Sequence, residues 1–312
     1  MKFHKRPLSS SDVKTKALSL GADLVGIADG AAIDASHLTE LDAGRVIVLA
    51  KRLNEGVARI RRWDDRHKYY NDELALTHLE ETSLELVYWL EDCGYPALIV
   101  PPTHVDPSKY ENAQAHLAPL LSLPHAAVEA GLGTLGLNLQ LLTPPFGPRV
   151  ILAAVLCSVD VECDRPMEQA LCKGPACGRC LKTCPGDAVQ HWGRDWQACD
   201  RHRSPHGFAQ LTGHLERIIK EENPGKRKEL LRSEDSFNLW QSILRGAGVV
   251  TGCRRCADVC PVGDDYEKML ADALEEIPEN TPAKEARLAE MLKSGSSTYE
   301  AQKRFIGFLK VV

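Results

Sequence analysis

Eleven cysteines occur in this 312-residue sequence, and eight of them lie between Cys172 and Cys260. Two runs, 177–185 and 253–261, follow the pattern C-x2-C-x3-C-P, in which proline follows the last cysteine. Bacterial ferredoxins use this spacing to bind [4Fe–4S] clusters through thiolates. Because thiols in a reducing cytoplasm are more often metal ligands than disulfides, the pattern predicts iron–sulfur chemistry.

The ferredoxin pattern also predicts which cysteines share a cluster. In two-cluster ferredoxins the fourth cysteine of each run binds the other cluster. Applied here, this rule divides the eight thiols into two sets. The first set is Cys172, Cys177, Cys180 and Cys260, and the second set is Cys184, Cys199, Cys253 and Cys256. Each predicted [4Fe–4S] cluster thus receives four thiolates.

Two other metal centres use part of this spacing. Zinc binds C-x2-C pairs, but two complete C-x2-C-x3-C-P runs are not a usual zinc-ribbon pattern. The interval from Cys172 through Cys177 to Cys180 matches a plant-type [2Fe–2S] site, which would leave the second run unexplained. Two [4Fe–4S] clusters account for both runs. Of the remaining thiols, Cys157 is predicted to be packed in a buried strand, and Cys163 has no assigned role.

A glycine-rich stretch, AGLGTLGLN at 130–138, is the second candidate site. Its glycines match the dinucleotide pattern G-x-G-x-x-G, which requires a strand before it and a helix after it. Here a helical pattern precedes the glycines, and a strand and turn follow them, so a Rossmann site is excluded. A loop that lets the backbone approach a bulky ligand and a plain tight connection both remain open.

The elements that must position these residues are predicted from hydrophobic periodicity. Residues 11–20 are predicted to form a helix that ends at Gly21, and a longer helix is predicted to be capped by Asn71 and to end at Gly94. The long helix carries an apolar stripe. The stripe is Leu76, Leu79, Leu86, Leu90 and Cys93. Buried strands are predicted at 23–28, 45–50, 97–100 and 149–156.

Composition divides the chain into three parts. Strands stop near Cys163, where cysteines and prolines become frequent. We therefore expect an α/β domain over 1–165, a cluster domain over 166–270 with a helical insertion at 200–250, and a helical tail over 271–312.

Overall composition excludes several classes of protein. Hydrophobic residues make up 44% and charged residues 26%, which is incompatible with a disordered chain. The formal net charge of −5 provides no attraction to nucleic acid. Because no membrane span or signal peptide is recognisable, we expect a cytoplasmic protein without a membrane partner.

The order of these features resembles the epoxyqueuosine reductase family, whose superfamily includes the reductive dehalogenases. The resemblance runs from ALSLGADLVGIA and RVIVLA through YWLEDCGY and AGLGTLGLN to the paired cysteine runs. It implies a nitroreductase-like α/β domain that binds cobalamin without a protein ligand to cobalt, followed by a ferredoxin-like double [4Fe–4S] domain. The implied cobalamin contacts are Gly131, Leu132, Gly133, Gly136 and Asn138.

The sequence departs from the family at the proton donor. The family's aspartate, about 14 residues before the AGLG glycine, corresponds here to Leu117, with His116 beside it. His125, closer to the glycines, is the first candidate donor, since histidine titrates near neutral pH. Tyr69 and Tyr70 are further candidates, as phenols next to a cationic residue.

The resemblance implies an iron–sulfur, cobalamin-dependent reductase. It would pass electrons through two clusters to cobalamin and cleave a small organic substrate by deoxygenation or dehalogenation. An external low-potential donor such as ferredoxin or flavodoxin would supply the electrons. The short C-terminal part and the charge of −5 make tRNA an unlikely partner. The alternatives are an electron-transfer protein that reduces a partner's corrinoid and a cobalamin-processing or carrier protein.

Overall fold

The computed structural model describes most of the chain in separate stretches. These are residues 5–33, 44–58, 65–100, 121–195, 198–199, 202, 208–245, 253–264, 266, 277 and 279–293. Among these residues, no helix combines the length and the apolar character that a membrane crossing needs.

A four-stranded antiparallel sheet organises the first half of the chain, with strand order β1-β2-β6-β3. The strands are β1 Leu24–Asp29, β2 Arg45–Arg52, β3 Ala97–Val100, β4 Thr134–Leu135, β5 Leu141–Leu142, β6 Val150–Cys157, β7 Val189–Gln190 and β8 Gly193–Arg194. The two central strands pair along their whole length, from Arg45 opposite Cys157 to Arg52 opposite Val150. Two small hairpins, β4–β5 and β7–β8, lie outside this sheet.

Ten α-helices accompany the strands in the described part of the chain. They are α1 Ser10–Leu20, α2 Glu55–Ala58, α3 Asp65–Asp92, α4 Leu123–Glu129, α5 Arg179–Lys182, α6 Phe208–Lys220, α7 Pro224–Leu231, α8 Glu234–Arg245, α9 Arg255–Asp258 and α10 Pro282–Lys293. One 3-10 turn, Gly174–Ala176, lies between the first two cysteines of the first set.

Alternation along the strands gives the sheet two buried faces. Val46 and Val48 of β2 pack in one core with residues of α4. Ile47 and Leu49 point the other way, into a second core with α1 and α3. The first half is therefore a three-layer α/β arrangement, as its strand and helix patterns predict.

The long helix confirms its predicted stripe but not its predicted start. All five stripe residues are buried. The helix begins at Asp65, so the prediction that Asn71 caps it is wrong. The side chain of Asn71 does not serve as the cap, because its Oδ1 accepts a 2.6 Å hydrogen bond from Asn54 Nδ2.

The strand at 97–100 is less buried than predicted. It is the edge strand of the sheet and pairs with β6. As a result, Leu98 is 45% exposed, whereas Val100 is buried. Cys157, at the end of the central strand β6, is a fully buried thiol, as predicted.

The predicted helical insertion contains α6, α7 and α8, which pack on one another. Asn223 caps α7 by accepting hydrogen bonds from the backbone N–H groups of Gly225 and Lys226. Near the predicted end of the α/β domain, the Asp164 carboxylate accepts hydrogen bonds from Lys14 Nζ and from the backbone N–H of Ile27. The chain is thus attached to β1 a few residues before Cys172, the first of the predicted cluster cysteines.

Candidate functional site

The structure gathers the first set of cysteines around Cys180. Burial raises the pKa of the Cys180 thiol well above its usual range, and neighbouring thiolate charges raise it further. These neighbours are, in order of effect, Cys256, Cys172, Cys260 and Cys177. Burial likewise raises the pKa of Cys260 to about 11, with further increases from Cys172 and Cys177. The Cys260 thiol, from the second run, therefore lies with thiols of the first run.

The second set gathers in the same way. Burial raises the pKa of Cys253 to about 12, and the thiolate charges of Cys256, Cys199 and Cys184 raise it further. Burial also raises the pKa of the Cys256 thiol; the charge of Arg194 opposes this rise, and the thiolate charges of Cys199 and Cys184 add to it. Cys184 of the first run thus lies close to thiols of the second run. Cys180 and Cys256 are also neighbours, and the division of the eight thiols into two sets of four stays a prediction.

Backbone N–H groups point at several of the sulfur atoms. The N–H groups of Gly174 and Leu137 donate to Cys172 Sγ at 3.3 and 3.4 Å. The N–H of Ala188 donates to Cys184 Sγ at 3.2 Å. Such donors stabilise thiolates and tune the potentials of iron–sulfur clusters. The eight thiols and their donors therefore fit two groups of four thiolates.

A single metal ion bound by several side chains would need a different arrangement from that of a four-iron cluster. No three His, Cys, Asp or Glu side chains in the described stretches are spaced to hold one metal ion together. In a four-iron cluster each thiolate binds a different iron atom, so its ligands need not converge on one point.

The glycine-rich stretch lies between a helix and a hairpin. Helix α4 precedes it and the β4–β5 hairpin contains its second half, so the exclusion of a Rossmann site is confirmed. Gly131 has φ +70°, and a Cβ there would lie 2.6 Å from the carbonyl oxygen of Arg165. A Cβ on Gly133 would lie 1.9 Å from the carbonyl oxygen of Leu142. These close approaches require glycine because of contacts inside the chain.

The far end of the glycine stretch contacts cysteines of both sets. The backbone N–H of Leu137 reaches Cys172, as described above, while the Asn138 side chain hydrogen-bonds the Cys256 thiol. Cys256 Sγ also lies 3.5 Å from Gln140 Oε1, to which it donates. The sequence pattern gave no signal for this contact, because the partners are far apart along the chain. The role of Gly131, Leu132, Gly133, Gly136 and Asn138 in binding cobalamin stays a prediction.

The candidate proton donors have separate environments. His125 is buried in α4, and burial lowers the pKa of its imidazole to about 4. Tyr70, in α3, is 51% exposed. Tyr69 lies in the same helix, but its side chain is outside the described residues, as is all of His116. A role in proton transfer stays a prediction for all four.

Sequence reasoning missed a buried network of charges between α3 and the second cysteine run. Lys68 donates to the carboxylate of Asp258, and Arg254 Nη1 donates to Asp72 Oδ1 at 2.6 Å. Arg254 Nη2 lies 3.3 Å from Asp258 Oδ1, which joins the two pairs. The signal in the sequence was the charged pattern CRRCADVC, since Arg254 and Asp258 lie inside that run.

A second missed residue is Arg149, which is 1% exposed. It immediately precedes the central strand β6, and its guanidinium reaches the chain around Cys260. An arginine at the start of an apolar run, RVILAAVL, was the available signal.

The chain was compared with protein families, curated proteins and solved structures. No family model matches it. It is 26% identical to the tetrachloroethene reductive dehalogenase of Dehalobacter restrictus over 229 residues, which are 61% of this chain and 40% of that protein. It is 28% identical to the epoxyqueuosine reductase of Synechocystis sp. over 169 residues, which are 50% of this chain and 49% of that protein.

The chain is a divergent relative of the reductive dehalogenases and the epoxyqueuosine reductases. It spans less than half the length of the two curated relatives named above. A solved catabolic reductive dehalogenase, in complex with 3-bromo-4-hydroxybenzoic acid, has a TM-score of 0.50 and 16% identity. That alignment covers 89% of this chain and 35% of the dehalogenase, and it supports a shared α/β fold.

Proposed function

We propose that this chain is an iron–sulfur oxidoreductase that holds two [4Fe–4S] clusters and uses bound cobalamin to reduce a small organic substrate. The observation that carries the proposal is the proximity of one cysteine of each run to thiols of the other run. Cys260 lies close to Cys172 and Cys177, and Cys184 lies close to Cys253, which supports the exchange that two-cluster ferredoxins use. Zinc ribbons and plant-type [2Fe–2S] sites do not need this exchange.

The proposed fold follows from the similarity to reductive dehalogenases and epoxyqueuosine reductases. Residues 1–165 form a nitroreductase-like α/β domain, and 166–270 form a ferredoxin-like double-cluster domain with a helical insertion at 200–250. A helical tail, 271–312, follows. The glycine stretch contacts cysteines of both sets from the α/β side. It is therefore the element through which a cofactor in the α/β domain would be held next to the clusters.

Cobalamin, when bound, supplies a strongly reducing cobalt centre. The described residues have three roles in the proposed site. The two thiol sets hold the electron carriers, and the hydrogen bonds of Leu137 and Asn138 fix the glycine stretch against them. His125, buried beside the sheet, is neutral at pH 7 because its pKa is lowered to about 4, so it can donate a hydrogen bond without carrying charge.

The substrate class proposed is a small organic molecule with a cleavable carbon–halogen or carbon–oxygen bond. Replacing a halogen by hydrogen consumes two electrons and one proton and releases a halide ion. Converting an epoxide to an alkene consumes two electrons and two protons and releases water. A cytoplasmic low-potential donor such as ferredoxin or flavodoxin would supply the electrons one at a time.

Iron and cobalt counts test this proposal directly. We expect about eight irons per chain after anaerobic purification, and about one cobalt after incubation with hydroxocobalamin and desalting. Cys180→Ser removes a thiol from the first set and should leave about four irons. Cys163→Ser is the matched control, because Cys163 lies outside both sets, and it should keep about eight.

Each outcome separates the competing functions. Full iron with retained cobalt, followed by turnover of haloaromatic or epoxide substrates, supports the reductase. Full iron with no retained cobalt contradicts the cobalamin proposal and favours an electron-transfer protein that reduces a partner's corrinoid. Retained cobalt without turnover of small substrates or of a modified tRNA stem loop points to a carrier. An iron count near two contradicts the cluster assignment.

A further inference from the structure

Arg149 connects the α/β sheet to the chain around Cys260. It lies next to β6, and its backbone carbonyl accepts a 2.9 Å hydrogen bond from the N–H of Leu53. Its guanidinium Nη1 donates to the carbonyl oxygens of Ala257 at 2.8 Å and Cys260 at 2.9 Å. Nη2 donates to the carbonyl oxygen of Val262. One side chain therefore binds three carbonyl groups within the six residues 257–262, which include a predicted cluster cysteine.

The space around this guanidinium is closed on several sides. Its carbon atom lies 3.2 Å from the centre of the Tyr266 ring. A Cβ on Gly263 would lie 3.0 Å from Arg149 Nη2, and a Cβ on Gly147 would lie 2.9 Å from it. Gly147 and Gly263 also have positive φ, +56° and +121°. The two loops can approach the guanidinium this closely because both positions are glycine.

The charge of Arg149 is not cancelled by the groups that it contacts. Its hydrogen-bond acceptors are neutral carbonyl oxygens, and Tyr266 offers the face of a ring. The nearby carboxylate of Asp258 is already paired with Lys68. A buried positive charge beside a cysteine that binds iron favours the more negative, reduced form of a cluster.

We propose that Arg149 positions Cys260 and raises the reduction potential of the cluster held by the first set. The inference rests on the two-cluster function proposed above. It adds a residue that determines which of the two clusters is reduced at the higher potential. Cys256 in the second set has a different cation beside it, Arg194, which donates to the carbonyl oxygen of Asn138. One cysteine of each predicted set thus has an arginine beside it, Arg149 for Cys260 and Arg194 for Cys256.

The test is a redox titration of the anaerobically purified protein, followed by electron paramagnetic resonance. Arg149→Gln removes the charge but keeps a donor for one carbonyl. Arg149→Lys keeps the charge but loses the planar guanidinium that donates to several carbonyls at once. We expect R149Q to lower the reduced-to-oxidised ratio of one cluster at least tenfold at fixed potential, a downward shift of about 59 mV for one electron. R149K should stay near the wild-type midpoint.

The matched control is Arg194→Gln, which should lower the midpoint of the other cluster. If R149Q keeps about eight irons and neither midpoint moves, or both move together, the proposal is overturned. If R149Q loses one cluster, the R149K variant provides the test. R149K with about eight irons and an unchanged midpoint supports the proposal. R149K with about eight irons and a tenfold lower reduced-to-oxidised ratio overturns it. A low iron count in the wild-type protein would instead contradict the two-cluster function.

Discussion

At the scale of single residues, burial determines what His125 can do. It lies in α4, where Leu123, Ala126 and Ala127 are also buried. Burial disfavours the charged ring and lowers its pKa from 6.5 to about 4. At neutral pH the residue can therefore offer only the proton of a neutral ring. Its position near the glycine stretch suits hydrogen bonding better than acid catalysis.

The lowered pKa of His125 predicts a loss of stability in mild acid. The unfolded chain binds a proton near pH 6.5 and the folded chain only near pH 4, so stability falls as pH drops through this window. Between pH 7.5 and 5.5 the loss is about 1.4 kcal/mol. We expect His125→Gln to remove this part of the pH dependence of the thermal midpoint, measured anaerobically. His78→Gln, at an exposed histidine, should retain it; an unchanged pH dependence in H125Q would contradict the prediction.

Residue types and spacing predicted that thiols of the two runs come together, because cluster binding constrains the order of cysteines along the chain. They did not predict which neutral and charged groups surround those thiols. Asn138 and Cys256 come together only through the path of the chain between them. Arg149 is likewise more than 100 residues away in sequence from the carbonyl groups that it binds. Long-range contacts of this kind leave no local pattern to recognise.

At the scale of elements, local patterns predicted the end of a helix where the signals for that end are local. The helix at 10–20 has a capping box between Ser9 and Asp12 and ends at Gly21, whose φ is +121°. All of these signals are local. Helix α3 instead begins at Asp65, six residues before Asn71, and the side chain of Asn71 binds Asn54 of another segment. The degree of burial of β3 likewise depends on its place at the sheet edge, which periodicity does not reveal.

The charge network between α3 and α9 predicts a strong effect of one carboxylate. Asp258→Asn would leave the buried ammonium of Lys68 without its counter-charge, which costs about 3–5 kcal/mol. We expect a lower thermal midpoint and less bound iron, because Asp258 lies between Cys256 and Cys260. The double variant Lys68→Met, Asp258→Leu should recover much of the loss, since it removes both charges.

Asp235→Asn provides the control for this prediction. Asp235 pairs with Arg217 at 3.1 Å, but both side chains are more than half exposed. Such pairs contribute about 0.2–1 kcal/mol, so this variant should melt close to the wild type. If the double variant at positions 68 and 258 were as unstable as D258N alone, the two charges would not be coupled as the structure indicates.

At the scale of the whole molecule, the apolar cores are unevenly distributed. Two large cores cover both faces of the four-stranded sheet. The region around the thiols has a much smaller core, with four buried apolar residues in the described part of the chain. They are Leu137, Leu181, Val189 and Leu288. Cysteines of both sets pack against this core, so the metal centres would supply stability that apolar burial there does not.

This imbalance predicts that removing iron loosens one part of the protein before the other. After anaerobic chelation, we expect amide hydrogen exchange to become fast over 172–195 and 253–264, while β1, β2 and β6 keep their protection. The sheet should stay protected because its two cores contain no predicted iron ligand. Cys180→Ser, with one set incomplete, should give an intermediate pattern, and Cys163→Ser the wild-type one. Simultaneous loss of protection in the sheet and the thiol region would mean that the two parts unfold as one unit, because the contacts of Arg149, Asn138 and Lys68 couple them more strongly than their separate cores suggest.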